Sequence, residues 1–354
     1  MSMKAVKVQP GKTVAVEQVP IPELLDSQFL VKVAAVAINP TDWKHVEWGI
    51  GGGPGSTVGC DLAGTVEKVG PNSRFKPGDR VAAIAHGCSK LSPTSGAFAE
   101  YAAIEEHGAV KIPADVSFED AAGLGVALAT TGLALFHDLG LPLSLEPSRN
   151  GEPGENLQIL VYGGATSVSQ ALIQLAKAAG LTVITTASEK NREYLTKLGA
   201  DHVIDYHNAD KCIAEIKAAL NGRELKLAHD GISEGESLRI VLASIAPSPG
   251  SKVTLVLSLP PSVTAPPGVT VTSVLAYFVL GRPVEFAGKQ FPANAELAKF
   301  NGEFFLFAEK ALEKGIVKTQ EIKKLPGGLE GIKDALAQLK NGGGDRAKLV
   351  LTVA

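Results

Sequence analysis

Between Gln158 and Leu275 the chain alternates short apolar runs with amphipathic stretches of about ten residues. No other feature restricts the fold as much. Gln158–Tyr162, Thr182–Ala187, His202–Asp205, Lys226–Asp230, Lys252–Leu257 and Val269–Leu275 read as strands. Ser169–Ala179, Lys190–Leu198, Asp210–Leu220 and Gly235–Ala246 read as the helices between them. Parallel strands need crossover connections of this length, so the series predicts a doubly wound α/β sheet.

The rest of the chain has a different character. Phe29–Ile38, Leu62–Val69, Arg80–Ala85 and Ala97–Ile104 are β-type runs separated by Gly and Pro turns such as Pro77-Gly78-Asp79. Glu119–Leu139 reads as a helix, and Leu141–Asn156 and Pro260–Pro267 as surface loops. Ala295–Lys314 and Leu329–Leu339 read as late helices and Ala347–Val353 as a closing strand. At 354 residues the chain exceeds one typical domain. The expected organisation is a β-rich domain over 1–124, an α/β domain over 125–285, and completion of the first domain over 286–354.

Composition excludes several classes. With 34 basic and 37 acidic residues the net charge is −3, which argues against general nucleic-acid binding. The uncharged stretch Ala121–Phe136 is rich in Ala, Gly and Thr and reads as a buried helix, not a membrane span. The start lacks the apolar run of a signal peptide, and cytoplasmic location is the expectation. Cys60, Cys88 and Cys212 show no metal-type spacing and too few thiols for a disulfide framework.

The turn Val161-Tyr162-Gly163-Gly164-Ala165-Thr166-Ser167-Val168-Ser169 follows an apolar strand and opens a helix. Backbone N–H groups at such a helix start favour a pyrophosphate. Ser167 and Ser169 stand where small glycines often allow close approach. The next strand ends Thr186-Ala187-Ser188-Glu189-Lys190-Asn191-Arg192, without an acidic residue at Ser188 to take a ribose hydroxyl. Lys190 and Arg192 are within reach of a 2′-phosphate, and Glu189 is expected to point to solvent. Tyr206 adds a hydroxyl after the third strand. The reading is NADPH.

Ala37–Lys44, Gly59–Val66, Phe75–Val81, Gly96–Tyr101 and Leu198–Asp201 follow the order typical of medium-chain dehydrogenases/reductases. Over essentially its whole length the chain resembles that superfamily, in its quinone and enoyl reductase branch. It is most similar to fungal trans-acting enoyl reductases of polyketide pathways. The resemblance implies a GroES-like catalytic domain and a Rossmann cofactor domain, with the active site in the cleft between them. It implies cofactor contacts at Thr41, Asp42, Trp43, Lys44, Ala165, Thr166, Ser167, Val168, Ser188, Lys190, Asn191, Tyr206, Val256 and Leu257. Substrate contacts are implied at Thr130, Thr131, Val274, Leu275, Ala276, Tyr277 and Phe278.

Zinc alcohol dehydrogenases resemble this chain but need Cys and His ligands. Their Gly-His-Glu motif reads Gly59-Cys60-Asp61 here, their first Cys falls near Asn39, and Val126–Thr131 has no Cys. No catalytic metal is therefore expected, and without one an activated C=C bond suits the site better than an alcohol. Lys44 is the candidate catalytic residue, placed to hydrogen-bond the ribose and relay a proton. His45, His86 and Tyr101 are weaker candidates. The competing readings are an NADPH:quinone oxidoreductase and a non-catalytic, crystallin-like NADPH-binding protein. A polyketide synthase is the partner implied by the resemblance, and the state is monomer or homodimer.

Overall fold

The computed structural model describes residues 2–71, 73–145 and 157–353. The chain divides into two compact units, Met1–Ala129 with Ala276–Glu313 and Thr319–Ala354, and Thr130–Leu275 with Lys314–Lys318. Residues 125–129 and 276–285, expected in the cofactor domain, pack with the first unit instead. Two contacts give the reason: Val126 N–H donates to the Asp61 carboxylate at 2.7 Å, and Tyr277 packs among first-unit side chains.

The first unit opens with a hairpin of β1 (Ser2–Gln9) and β2 (Thr13–Pro20), which the sequence reading did not assign. It continues through β3 (Gln28–Ala37), α1 (Pro40–Trp48), β4 (Asp61–Val69), β5 (Arg80–Ile84), β6 (Tyr101–Glu105) and β7 (Ala109–Lys111). The expected strand Ala97–Ile104 forms only from Tyr101. Its first half is drawn aside by backbone bonds from Ala97 to Gly59 and from Phe98 to Val58. The expected helix Glu119–Leu139 is three pieces: α2 (Phe118–Ala121), α3 (Leu124–Thr131) and a wide π turn over Gly132–Asp138. This run has the length and hydropathy of a bilayer span, yet 83% of its apolar window is buried within the protein.

The second unit carries β8 (Gln158–Tyr162), α4 (Ser167–Ala178), β9 (Thr182–Thr186), α5 (Arg192–Leu198), β10 (His202–Ile204) and α6 (Ala209–Ala219). β11 (Leu227–Asp230), α7 (Glu236–Ser244), β12 (Ser251–Leu255) and β13 (Val269–Ser273) complete it. All six strands are parallel, in the order β10-β9-β8-β11-β12-β13. The order reverses between β8 and β11, the switch point where doubly wound sheets bind ligands. Leu160, Ile184, Ile216, Ile240 and Val253 form the core beneath it. Of the expected loop Leu141–Asn156, residues 146–156 lie outside the described residues.

The chain then returns to the first unit with the hairpin β14 (Val284–Phe286) and β15 (Lys289–Phe291), α8 (Ala295–Glu313), β16 (Ile322–Leu325), α9 (Ile332–Lys340) and β17 (Lys348–Thr352). The expected helix from Leu329 starts three residues later, because Gly327 and Gly328 at φ 95° and 54° hold the chain in a tighter turn first. The first unit's main sheet runs β16-β17-β3-β4-β5-β7, with β6 also paired to β3. The final strand thus completes a sheet begun by the first third of the chain. Phe29, Phe75, Phe98, Leu62 and Ile104 fill the core against it.

Candidate functional site

The second unit supplies an anion-binding turn. β8 ends at Tyr162, and Gly163 turns the chain at φ 77°, a conformation that favours glycine. Gly164 lies so close to β9 that a Cβ there would overlap the Thr185 hydroxyl. Thr166 caps α4, its Oγ1 accepting from Ser169 N–H at 3.2 Å. Helix geometry leaves the Ser167 and Val168 N–H groups without a carbonyl behind them, so they and the dipole favour an anion. Ser169 is fully buried and bonds Thr166 at 2.9 Å. It packs against Gly231, where a Cβ would stand 2.6 Å from its hydroxyl. Ser169 therefore sets the helix-to-strand packing, and Ala165, Thr166, Ser167 and Val168 form the turn itself.

Beyond β9, Ser188 is half-buried and Lys190 exposed, while Asn191 is buried with its amide 3.4 Å from the Ser188 hydroxyl. Glu189 is exposed, as expected, and takes a 2.7 Å bond from Arg192 Nε and another from a terminal nitrogen of the same side chain. Arg192 also donates to the Val203 carbonyl. The Glu189 charge is thus offset by Arg192, and Lys190 stands two residues after Ser188 on the same segment. Tyr206 is exposed and stacks on His207, with ring centroids 4.6 Å apart.

Asp230 ends β11 and organises the facing turn. Its Oδ1 accepts from the N–H groups of Ile232 and Ser233, and its Oδ2 accepts from the Ser237 hydroxyl. Ser233, at φ 57°, accepts from Val256 N–H at 3.0 Å and so fixes the start of the Val256-Leu257 segment. Thr130 is buried and Thr131 donates to the Val168 carbonyl at 3.3 Å, bracing α4. Val274 is tied to Leu255 by its N–H. Thr130, Thr131, Val274 and Leu275 belong to the second unit, and Ala276, Tyr277 and Phe278 to the first.

The first unit holds a buried polar cluster around α1 and β4. Asp61 is wholly buried. It accepts from Asn39 Nδ2 at 2.8 Å and from Val126 N–H, and pairs with Lys348 Nζ at 3.1 Å. Lys348 also donates to Asn39 Oδ1, closing a three-residue knot between β17, β4 and the start of α1. Both Asp61 oxygens are therefore engaged by donors.

Asp42 sits one turn into α1 at 2% exposure, accepting from Asn39 N–H at 2.7 Å. Its Oδ1 has no ordinary hydrogen-bond partner, and the Cys60 thiol lies beside the carboxyl. Burial pushes the Asp42 pKa up to about 7, against the bond from Asn39 that lowers it. Burial likewise holds the Cys60 thiol and the Tyr277 phenol well above their usual ranges, so both keep their protons. Tyr277 is the hub: its hydroxyl is 3.2 Å from Cys60 Sγ, 3.3 Å from Thr41 Oγ1 and 3.5 Å from His45 Nε2. Its ring stacks on His86 at 3.9 Å. His45 Nδ1 faces the Thr41 carbonyl at 2.6 Å. A carbonyl only accepts, so Nδ1 carries the proton and Nε2 is the acceptor. Burial depresses both histidines, His86 to about 3, which keeps them neutral.

The expected catalytic Lys44 lies on α1, half-buried, its ammonium 4.8 Å from the centre of the Trp48 ring. Trp43 packs edge-on to Trp48 at 5.7 Å. Phe278 faces Phe291 at 5.2 Å, and its carbonyl accepts from Asn301. The sequence reading gave little weight to His45 and His86 and missed the Asp61–Lys348 pair. Gly59-Cys60-Asp61 was the one local signal for this cluster. Among the described residues, no three His, Cys, Asp or Glu side chains converge as a metal site.

A β-rich unit interrupted by a doubly wound α/β unit with a dinucleotide-type turn is the architecture of the alcohol dehydrogenases. Residues 25–114 match the alcohol dehydrogenase GroES-like domain, and residues 167–272 match the zinc-binding dehydrogenase domain. The chain is 39% identical to trans-enoyl reductase ACTTS2 of Alternaria alternata, covering 100% of this chain and 99% of that protein. It is 35% identical to trans-enoyl reductase resD of Aspergillus sclerotiorum over 98% of this chain and 99% of that protein. Mycobacterial Rv1454c, solved as a complex with NADPH, shares the fold at a TM-score of 0.73 and 22% identity, covering 99% of each chain. The chain belongs to the medium-chain dehydrogenase/reductase family of oxidoreductases, in the branch that holds these trans-enoyl reductases.

Proposed function

We propose that the protein reduces an activated C=C bond of an enoyl thioester or enone with NADPH and without a catalytic metal. The observation that carries this reading is the state of Cys60 and Asp61, at the positions of the zinc dehydrogenases' His and Glu. Cys60 is hydrogen-bonded to Tyr277, and Asp61 is engaged by Asn39, Val126 and the Lys348 ammonium. Among the described residues no third His, Cys, Asp or Glu joins them, and a buried thiol with one donor-saturated carboxylate is too few ligands for a zinc ion.

The residues present fit NADPH. The first turn of α4 suits a diphosphate, Ser188 and Lys190 suit a 2′-phosphate, and no carboxylate stands at position 188 to oppose one. Tyr206 offers an exposed ring for the adenine end. When bound, the cofactor supplies a hydride for the β-carbon. Lys44 on α1 would hold the ribose end, and hydroxyl or backbone donors stabilise the charge that develops on the thioester oxygen. Lys44→Ala is expected to cut turnover at least tenfold, about 1.4 kcal/mol.

The same reading places the protein in the cytoplasm, as a monomer or homodimer acting in trans on a chain carried by a polyketide synthase. The name trans-enoyl reductase that ACTTS2 and resD carry supports the action in trans. The test is oxidation of NADPH and NADH with parallel panels of enoyl thioesters, enones and quinones, after dialysis against a chelator. Turnover of thioesters or enones with NADPH supports the reading. Turnover of quinones alone favours the quinone oxidoreductase, and none with any panel favours a non-catalytic binding protein.

A further inference from the structure

Reduction of a C=C bond is complete only when the α-carbon gains a proton, and the first unit contains a row of neighbouring groups that carry exchangeable protons. It starts at Asp42, whose buried Oδ1 lacks an ordinary partner. It passes the Cys60 thiol beside that carboxyl, then the Tyr277 hydroxyl at 3.2 Å, then Thr41 Oγ1 at 3.3 Å. Asp42, Cys60 and Tyr277 are buried, whereas Thr41 is half-buried and is the outward end of the line. We propose that Asp42, Cys60, Tyr277 and Thr41 form the proton path to the substrate α-carbon, with Thr41 as the group that touches substrate. The inference rests on the C=C reductase reading.

The step balances without a further reagent. The α-carbon of the enolate takes the Thr41 hydroxyl proton as that O–H bond breaks. In the same concerted shift Thr41 takes the Tyr277 proton, Tyr277 that of Cys60, and Cys60 that of the Asp42 carboxylic acid, which is left as carboxylate, so that no buried phenolate or thiolate forms. One solvent proton returns along the same line after product leaves. His45 is a positioning residue: its Nε2 lies 3.5 Å from the phenol oxygen, and burial keeps the ring neutral so that it does not hold the proton. His86 fixes the phenol ring by stacking.

The groups facing Asp42 come from several elements. Asp61 on β4 raises its pKa, and Lys348 on β17 lowers it. Cys60 before β4, Cys88 after β5 and Tyr277 before β14 share its field, and His45 lies three residues on along α1. Burial outweighs these and leaves the acid form populated up to about pH 7.

The test uses NADPH and a 2-methyl-2-enoyl thioester, whose product has a stereocentre at the α-carbon. Wild-type protein should give one configuration, with kcat falling as pH rises above about 7. Tyr277→Phe keeps the stacked ring and loses only the hydroxyl. It should lower kcat at least tenfold, leave the KM for NADPH unchanged and give a mixture at the α-carbon. Asp42→Asn should lose the fall in kcat above about pH 7, and it decides the matter if Tyr277→Phe does not fold. Wild-type kcat, pH profile and single configuration in both variants would overturn the proton path alone. Failure of the wild-type protein to reduce any thioester or enone would remove the reductase reading and the path with it.

Discussion

Replacing Asp42 by asparagine removes a buried group whose charge the fold resists. The pKa of Asp42 rises from 3.8 to about 7, chiefly through burial. Between those values the folded chain keeps a proton that the unfolded chain releases, so stability is present at low pH and is lost as pH rises through 7. That rise in pKa corresponds to roughly 4 kcal/mol in all, of which about 3 kcal/mol falls between pH 5 and pH 8. The asparagine amide cannot ionise, so the stability of the Asp42→Asn variant should not carry this loss. The chain's two tryptophans, Trp43 and Trp48, both lie on α1 beside the substitution, so urea unfolding followed by their fluorescence reports on this region. Buried His86 and His229 titrate alike in both proteins and cancel in the difference. Asp42→Asn should gain about 3 kcal/mol on wild type between pH 5 and pH 8. Parallel stability curves over that range would refute the buried-acid reasoning.

Three further outcomes follow from the same structure. Lys348→Met removes the cation beside the buried Asp61 and should cost about 3–5 kcal/mol in a denaturant melt. Gly164→Ala drives a methyl into Thr185, whose hydroxyl is anchored to the Val161 carbonyl. It should cost about 1–3 kcal/mol and weaken NADPH binding measured by fluorescence titration. Lys190→Ala should raise the KM for NADPH about tenfold and leave that for NADH unchanged, because Arg192 is held by Glu189 and does not replace it.

The second unit was legible because buried parallel strands write themselves as continuous apolar runs, as Gln158–Tyr162 does with all five residues buried. The hairpin of β1 and β2 was not, since Lys4 and Lys7 interrupt the apolar residues of the first strand. The dinucleotide-type turn could be read from its place between strand and helix. The role of Ser169 could not, because it depends on Gly231 approaching from another strand. The polar cluster of the first unit was the least legible part. Asn39 meets Lys348 across 309 positions, and Thr41 meets Tyr277 across 236. Tyr277 read as a substrate contact by resemblance, while its buried hydroxyl network emerged only from the fold. Arg192 read as a phosphate-binding cation because spacing does not reveal that Glu189 holds it.

The central claim is hydride delivery from NADPH to the β-carbon of an activated C=C bond. The direct measurement is turnover of an enoyl thioester with NADPH deuterated at the transferable nicotinamide position, in a chelator-treated preparation, followed by mass spectrometry and NMR of the product. The account predicts one deuterium at the β-carbon and a solvent-derived hydrogen at the α-carbon. NADPH consumption without deuterium at the β-carbon, or activity that appears only after zinc is restored, would contradict it.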